Sequence, residues 1–143
     1  MESKSNKKII LVEDDQQLLA IYRKMFEQTD YDVETATSAH QISEELRLIR
    51  MGESEKPDLI IMDLMLPYAN GAQVLKSIKK SHFTRDIPVF VLSNYQNPDL
   101  QNDLDNNELR PEKYLIKTEH TPAQIMGIIG QHFAAKEVKT NLA

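Results

Sequence analysis

Apolar residues run without interruption at 9–12, 59–62, 89–92 and 114–116, the pattern of strands buried on both faces of a parallel sheet. A weaker segment around Val33 and Thr35 alternates between apolar and polar and reads as the second strand in chain order. Between these runs the spacing changes to that of amphipathic helices. Leu18, Leu19, Tyr22, Met25 and Phe26 line one helical face, Ile42, Leu46 and Ile49 a second, and Val74, Leu75 and Ile78 a third. Ile125, Ile128 and Ile129, with His132 or Phe133, line the last. A helix over 97–108 is weakly marked, because this Asn- and Asp-rich stretch has only Leu100 and Leu104 to bury.

Local signals fix several boundaries. Ser38 with Gln41, and Thr121 with Gln124, have the spacing of capping boxes, and Pro122 stands at the first helical position of the second. Gly52 is a helix stop, and the loop LMLPYAN leads to Gly71 at the start of the third helix. Periodicity is lost from residue 136 onward. Five strands alternating with five helical segments predict an α/β fold with a doubly wound five-stranded parallel sheet, a flavodoxin-like (βα)5 three-layer sandwich. A chain of 143 residues suffices for one such domain, expected over 7–135, with short polar tails at 1–6 and 136–143.

Composition narrows the chemistry. The chain has no cysteine, which removes disulfides, thiolate metal sites and thiol nucleophiles. A formal net charge of −5 argues against a nucleic-acid partner, whose phosphates call for clustered Lys and Arg. No apolar stretch nears the roughly 18 residues of a membrane span, and MESKSNKK precedes no signal-peptide core, so a cytoplasmic protein without a membrane partner is expected.

In doubly wound sheets the functional crevice lies beyond the carboxyl ends of the strands, where strand order reverses. The polar residues at those ends are Glu13 and Asp14, Asp63, Ser93, and Lys117. Three carboxylates gathered there repel one another unless a cation intervenes, and magnesium suits an all-oxygen donor set. One carboxylate oxygen can then attack a phosphoryl group, with Lys117 and Ser93 balancing the developing charge. Asp15 is better read as the cap of the following helix. His40, His82, His120 and His132 show no ligand spacing and read as surface or packing residues.

Taken together, IILVEDD, LIIMDLMLP with Gly71, VFVLS and YLIK resemble the signature blocks of the response-regulator receiver family over roughly residues 7–135. The resemblance implies that Asp63 accepts a phosphoryl group from a sensor histidine kinase or phosphotransfer protein. It implies that Glu13, Asp14, Asp63 and the backbone carbonyl of Met65 hold Mg2+, that Ser93 and Lys117 contact the phosphoryl oxygens, and that Tyr114 is a switch aromatic. The output would be a protein contact on the face of the fourth helix, fifth strand and fifth helix, made by a monomer or weak dimer. Such a protein is a switch with self-catalysed phosphoryl transfer and not an enzyme acting on external substrates.

Thr118 follows Lys117 where the family commonly has proline, which puts a cis peptide there in question. Asn94 and Tyr95 follow the hydroxyl position where small and variable residues are usual, and NNELRPEK precedes the fifth strand on the output face. The main alternative is a degenerate receiver that binds proteins without phosphorylation. An aspartate-dependent phosphatase would need an acid two positions after Asp63, where Met65 stands, and a nucleotide-binding fold would need a glycine turn where EDDQQ stands.

Overall fold

A computed structural model of the chain describes residues 6–66, 69–94, 102 and 109–142. The strands are β1 (Lys8–Val12), β2 (Asp32–Ala36), β3 (Leu59–Asp63), β4 (Met65–Leu66), β5 (Ala69–Asn70), β6 (Val89–Ser93) and β7 (Lys113–Ile116). The helices are α1 (Gln16–Phe26), α2 (Ala39–Arg50), α3 (Gly71–Lys80) and α4 (Pro122–Leu142). The weak helix expected over 97–108 lies outside the described residues, apart from Asn102.

Five parallel strands form the main sheet in the order β2-β1-β3-β6-β7, the doubly wound flavodoxin-like arrangement expected from the apolar runs. Every residue of β1, β3 and β6 is buried, which is why their sequences read as unbroken apolar runs. Successive side chains go to opposite faces. Ile10, Val12, Ile60, Met62, Val89 and Val91 pack with the stripes of α2 and α3, and Ile9, Leu11, Leu59, Ile61, Phe90 and Leu92 with those of α1 and α4. Each such fully buried aliphatic contributes roughly 2 kcal/mol over the exposed state. β2 is an edge strand, and its alternating burial explains its weaker signal.

The helix ends follow the side-chain chemistry. Asp15 caps α1, accepting from the backbone N–H groups of Gln17 and Leu18. Ser38 accepts from Gln41 N, while the Gln41 side chain accepts from Thr37 N and not from the cap residue itself. Gly52, at φ +75, closes α2: its N–H bonds Ile49 O, and that of Glu53 bonds Leu48 O. Thr121 and Gln124 form the full reciprocal box ahead of Pro122.

Two features depart from the sequence reading. The two-residue pairing of β4 with β5 between β3 and α3 has no apolar signature. In addition, α4 continues to Leu142, through residues expected as a tail. Residues 134–138 are exposed, so no buried stripe marks them, yet Ala134, Ala135, Lys136 and Glu137 are strong helix formers with no glycine or proline after Gly130.

Candidate functional site

Strand order reverses between β1 and β3, because the chain leaves β1 toward β2 and returns on the other side at β3. The carboxyl ends of these two strands are therefore the crevice that the fold makes available. Glu13 and Asp14 follow directly on β1, and Asp63 is the last residue of β3. Their positions are locked by the ladder: Glu13 N bonds Ala36 O and Leu64 N bonds Leu92 O. One carboxylate oxygen from each of Glu13, Asp14 and Asp63 lies within 4.8 Å of the others.

Lys117, just beyond β7, reaches into this cluster. Its Nζ donates to Asp63 Oδ2 at 2.6 Å and to Glu13 Oε1 at 3.0 Å. The other oxygens of these two carboxylates accept from backbone: Asp63 Oδ1 from Met65 N at 2.9 Å, and Glu13 Oε2 from Asp15 N at 3.1 Å. Glu13 is wholly buried and Asp63 is 3% exposed, whereas Asp14 is half-buried. Burial pushes the Glu13 carboxyl up, against the opposing pull of the Asp15 N–H and of Lys117. Burial pulls the Lys117 ammonium down, but its hydrogen bonds to Asp63 and Glu13 outweigh that effect and hold it above the ordinary lysine range.

The donor set suits a hard divalent cation. Three carboxylates face a single ammonium, so the cluster carries excess negative charge, and all its side-chain donors are oxygens. No histidine belongs to the cluster. His40 and His82 are exposed, Nδ1 of His120 lies 3.2 Å from Ile116 O, and His132, a residue of α4, is buried.

Ser93 ends β6 beside β3 and is buried; its strand neighbour Leu92 pairs with Asp63, and its own carbonyl accepts from Lys117 N at 2.7 Å. No cis peptide occurs among the described residues, so the Lys117–Thr118 bond is trans. Tyr114 is half-buried and packs against the core on the α2 and α3 side, and its hydroxyl is buried without a hydrogen-bond partner. Met65 follows two residues after Asp63 with its side chain 58% exposed. Asn94 is exposed, and Tyr95 lies outside the described residues.

Sequence reasoning named Gly71 only as part of a motif, and its steric role emerges from packing. A Cβ there would stand 2.7 Å from Leu64 Cα and 3.0 Å from Asp63 O, while Gly71 N bonds Leu64 O at 3.0 Å. Helix α3 thus starts directly against the backbone that carries the Asp63 carboxylate.

The profile of the response regulator receiver domain matches residues 9–129. This chain belongs to that family. Receiver domains are signalling domains of two-component systems, and the sequence resemblance is thereby established.

Among curated relatives, the Bacillus subtilis alkaline phosphatase synthesis transcriptional regulatory protein PhoP is 32% identical over 88 residues, 62% of this chain and 33% of PhoP. The polar-differentiation response regulator DivK of Brucella ovis is 29% identical over 87 residues, 61% of this chain and 66% of DivK. The receiver therefore spans about a third of the length of the first and about two thirds of the second.

Among solved structures, the phosphorylated cyanobacterial phytochrome response regulator RcpA is 29% identical, with a TM-score of 0.72 over 87% of this chain and 89% of that one. The Mn2+-bound form of response regulator Rcp1 is 27% identical, with a TM-score of 0.72 over 87% and 90%. Chemotaxis response regulator CheY4 of Vibrio cholerae, at 16% identity and a TM-score of 0.73 over 89% and 98%, shares the fold.

Proposed function

We propose that this receiver is a phosphorylation switch that accepts a phosphoryl group on Asp63 from a sensor histidine kinase or phosphotransfer protein. The observation that carries this reading is the Lys117 ammonium 2.6 Å from Asp63 Oδ2, inside a trio of carboxylates at the switch point of the sheet. An acid that served only as a turn cap would need neither a half-buried cation nor two further acids.

In the reaction an Asp63 oxygen attacks phosphorus in line with the donor P–N bond. That bond breaks, its electron pair leaves with the imidazole nitrogen, and the nitrogen takes up a proton from solvent. Asp63 Oδ2 is the oxygen that Lys117 touches, so the new phosphoryl group forms beside the ammonium and its charge is neutralised at once. Ser93 supplies a hydroxyl at the end of the neighbouring strand for another phosphoryl oxygen. Met65 N holds Asp63 Oδ1 and keeps the carboxylate plane fixed as the bond forms.

Glu13, Asp14 and Asp63, with the backbone carbonyl of Met65, would hold Mg2+, for which the excess negative charge of the cluster is the supporting observation. When bound, the ion supplies charge neutralisation between acceptor and phosphoryl group. The similar Rcp1 structure with Mn2+ bound supports a divalent ion of this kind.

Tyr114 supplies the switch. Its unpartnered hydroxyl makes the inward position costly by about 1–3 kcal/mol, so small changes at Ser93, two strand positions from its partner Val91, bias the ring between two placements. A downstream protein then reads the face around β7 and α4 together with the segment 97–108. On this reading the protein works in the cytoplasm as a monomer or weak dimer and turns over no external substrate.

Intact-protein mass after incubation with acetyl phosphate tests the reading. A single phosphoryl adduct that requires Mg2+ and disappears in Asp63→Asn is expected. An adduct retained in Asp63→Asn would remove Asp63 as acceptor, and no adduct in the wild type would leave a receiver that signals by binding alone.

A further inference from the structure

His132 lies on the sheet-facing side of α4 and is 7% exposed. Its ring meets Phe90 of β6 edge-on at 5.2 Å and 77°, and Phe133 at 5.2 Å and 61°. Its Nε2 is buried and has no hydrogen-bond partner. A neutral imidazole tolerates this seat, because its bare ring nitrogen is a lone pair among aromatic edges. An imidazolium does not, because both ring nitrogens become donors and one has no acceptor.

The charges around the ring act in the same direction. Lys136, one turn further along α4, and Lys113 of β7 oppose a positive imidazole, while among the described residues Glu112, ahead of β7, is the one anion on the other side and β6 contributes only the Phe90 ring. Burial first, and Lys136 second, hold His132 below the ordinary histidine range. The neighbouring Phe133 also packs on Tyr31 at 5.4 Å and lies under the Lys7 ammonium, so the seat of His132 is continuous with the packing of α4 on the rest of the molecule.

We propose that His132 is a proton-operated latch: protonation expels its ring from between Phe90 and Phe133 and releases the C-terminal half of α4 from the sheet as pH falls below neutrality. The seated ring excludes the proton, and the released ring takes it up near the ordinary value of about 6.5. Below that value the equilibrium for release rises by up to about tenfold per pH unit, until the seated ring itself titrates. The latch uses no atom of the carboxylate cluster, so it adds to a receiver an acid-sensitive control of α4 that is separate from chemistry at Asp63.

Amide hydrogen exchange of the full chain at pH 7.5, 6.5 and 5.5, corrected for intrinsic rates, reads the release. Opening of residues 129–138 should rise about fivefold from pH 6.5 to 5.5 in the wild type and stay flat in His132→Phe, with β1 and β3 unchanged in both. The same rise in His132→Phe would overturn the latch. So would an NMR titration of the wild-type His132 ring at the ordinary histidine pKa with α4 protection unaltered. His132→Leu repeats the comparison if the larger ring disturbs folding, and the wild-type titration needs no variant. Asp63→Asn should keep the full pH response, and its loss there would overturn the separation of the two controls.

Discussion

Lys117 shows how one residue can serve both folding and chemistry. Its ammonium bridges two buried carboxylates from different strands, so its removal leaves like charges facing each other without a counterion. Lys117→Met should cost about 3 kcal/mol in urea unfolding without metal, and added Mg2+ should recover part of that loss. Glu13 gives a matching pH effect. Its folded pKa is raised, so its stabilising contribution is full below the unfolded value of about 4.5 and is lost as pH rises through the folded value. Glu13→Gln removes that dependence, so the variant should gain on the wild type between pH 4.5 and pH 7 in metal-free unfolding experiments. Glu13, Asp14, Asp63 and Lys117 were legible in the sequence because each follows an apolar run that ends at the same edge of the sheet. The steric demand at Gly71 was not, since it comes from backbone of Leu64 and Asp63 that only the folded loop brings near. Gly71→Ala should destabilise by about 1–3 kcal/mol and slow acetyl phosphate labelling, read by thermal unfolding and intact mass together.

At the level of elements, legibility tracked burial and capping. β1, β3 and β6 announce themselves because both their faces are covered, and α4 begins where Thr121, Pro122 and Gln124 place it. Thr121→Ala should cost about 1 kcal/mol, measurable by denaturant unfolding, because an N–H of the first turn loses its acceptor. The β4–β5 pair could not be read, as two residues per strand carry no period. The far end of α4 could not be read either, since exposed helix formers leave no apolar stripe. Hydrophobic pattern reports contact with the core and is silent where an element stands clear of it.

For the whole molecule, the excess negative charge at one end of the sheet would couple the binding of a divalent cation to folding. A cation that binds the assembled trio but not the unfolded chain stabilises by about 2.7 kcal/mol at a hundredfold excess over its Kd. Thermal unfolding with and without Mg2+ should show that gain in the wild type and lose most of it in Asp14→Asn, the substitution at the most accessible of the three acids. The parallel order of the sheet was legible from the apolar runs and their helical connections. Pattern alone could not show that Lys117, 54 residues after Asp63, donates to it directly.

The carboxylate cluster hangs from β1 and β3, strands with neighbours on both sides and every residue buried, whereas β2 and β7 each have one open edge. Of the three carboxylates only Glu13 is tied to an edge strand, through its N–H to Ala36 O of β2, so motion of the edges leaves Asp63 held. If Asp63 accepts a phosphoryl group as proposed, that ability should persist on heating through early fraying of β2 and vanish only in the final cooperative melt, so that acetyl phosphate labelling serves as a thermometer of the innermost part of the protein.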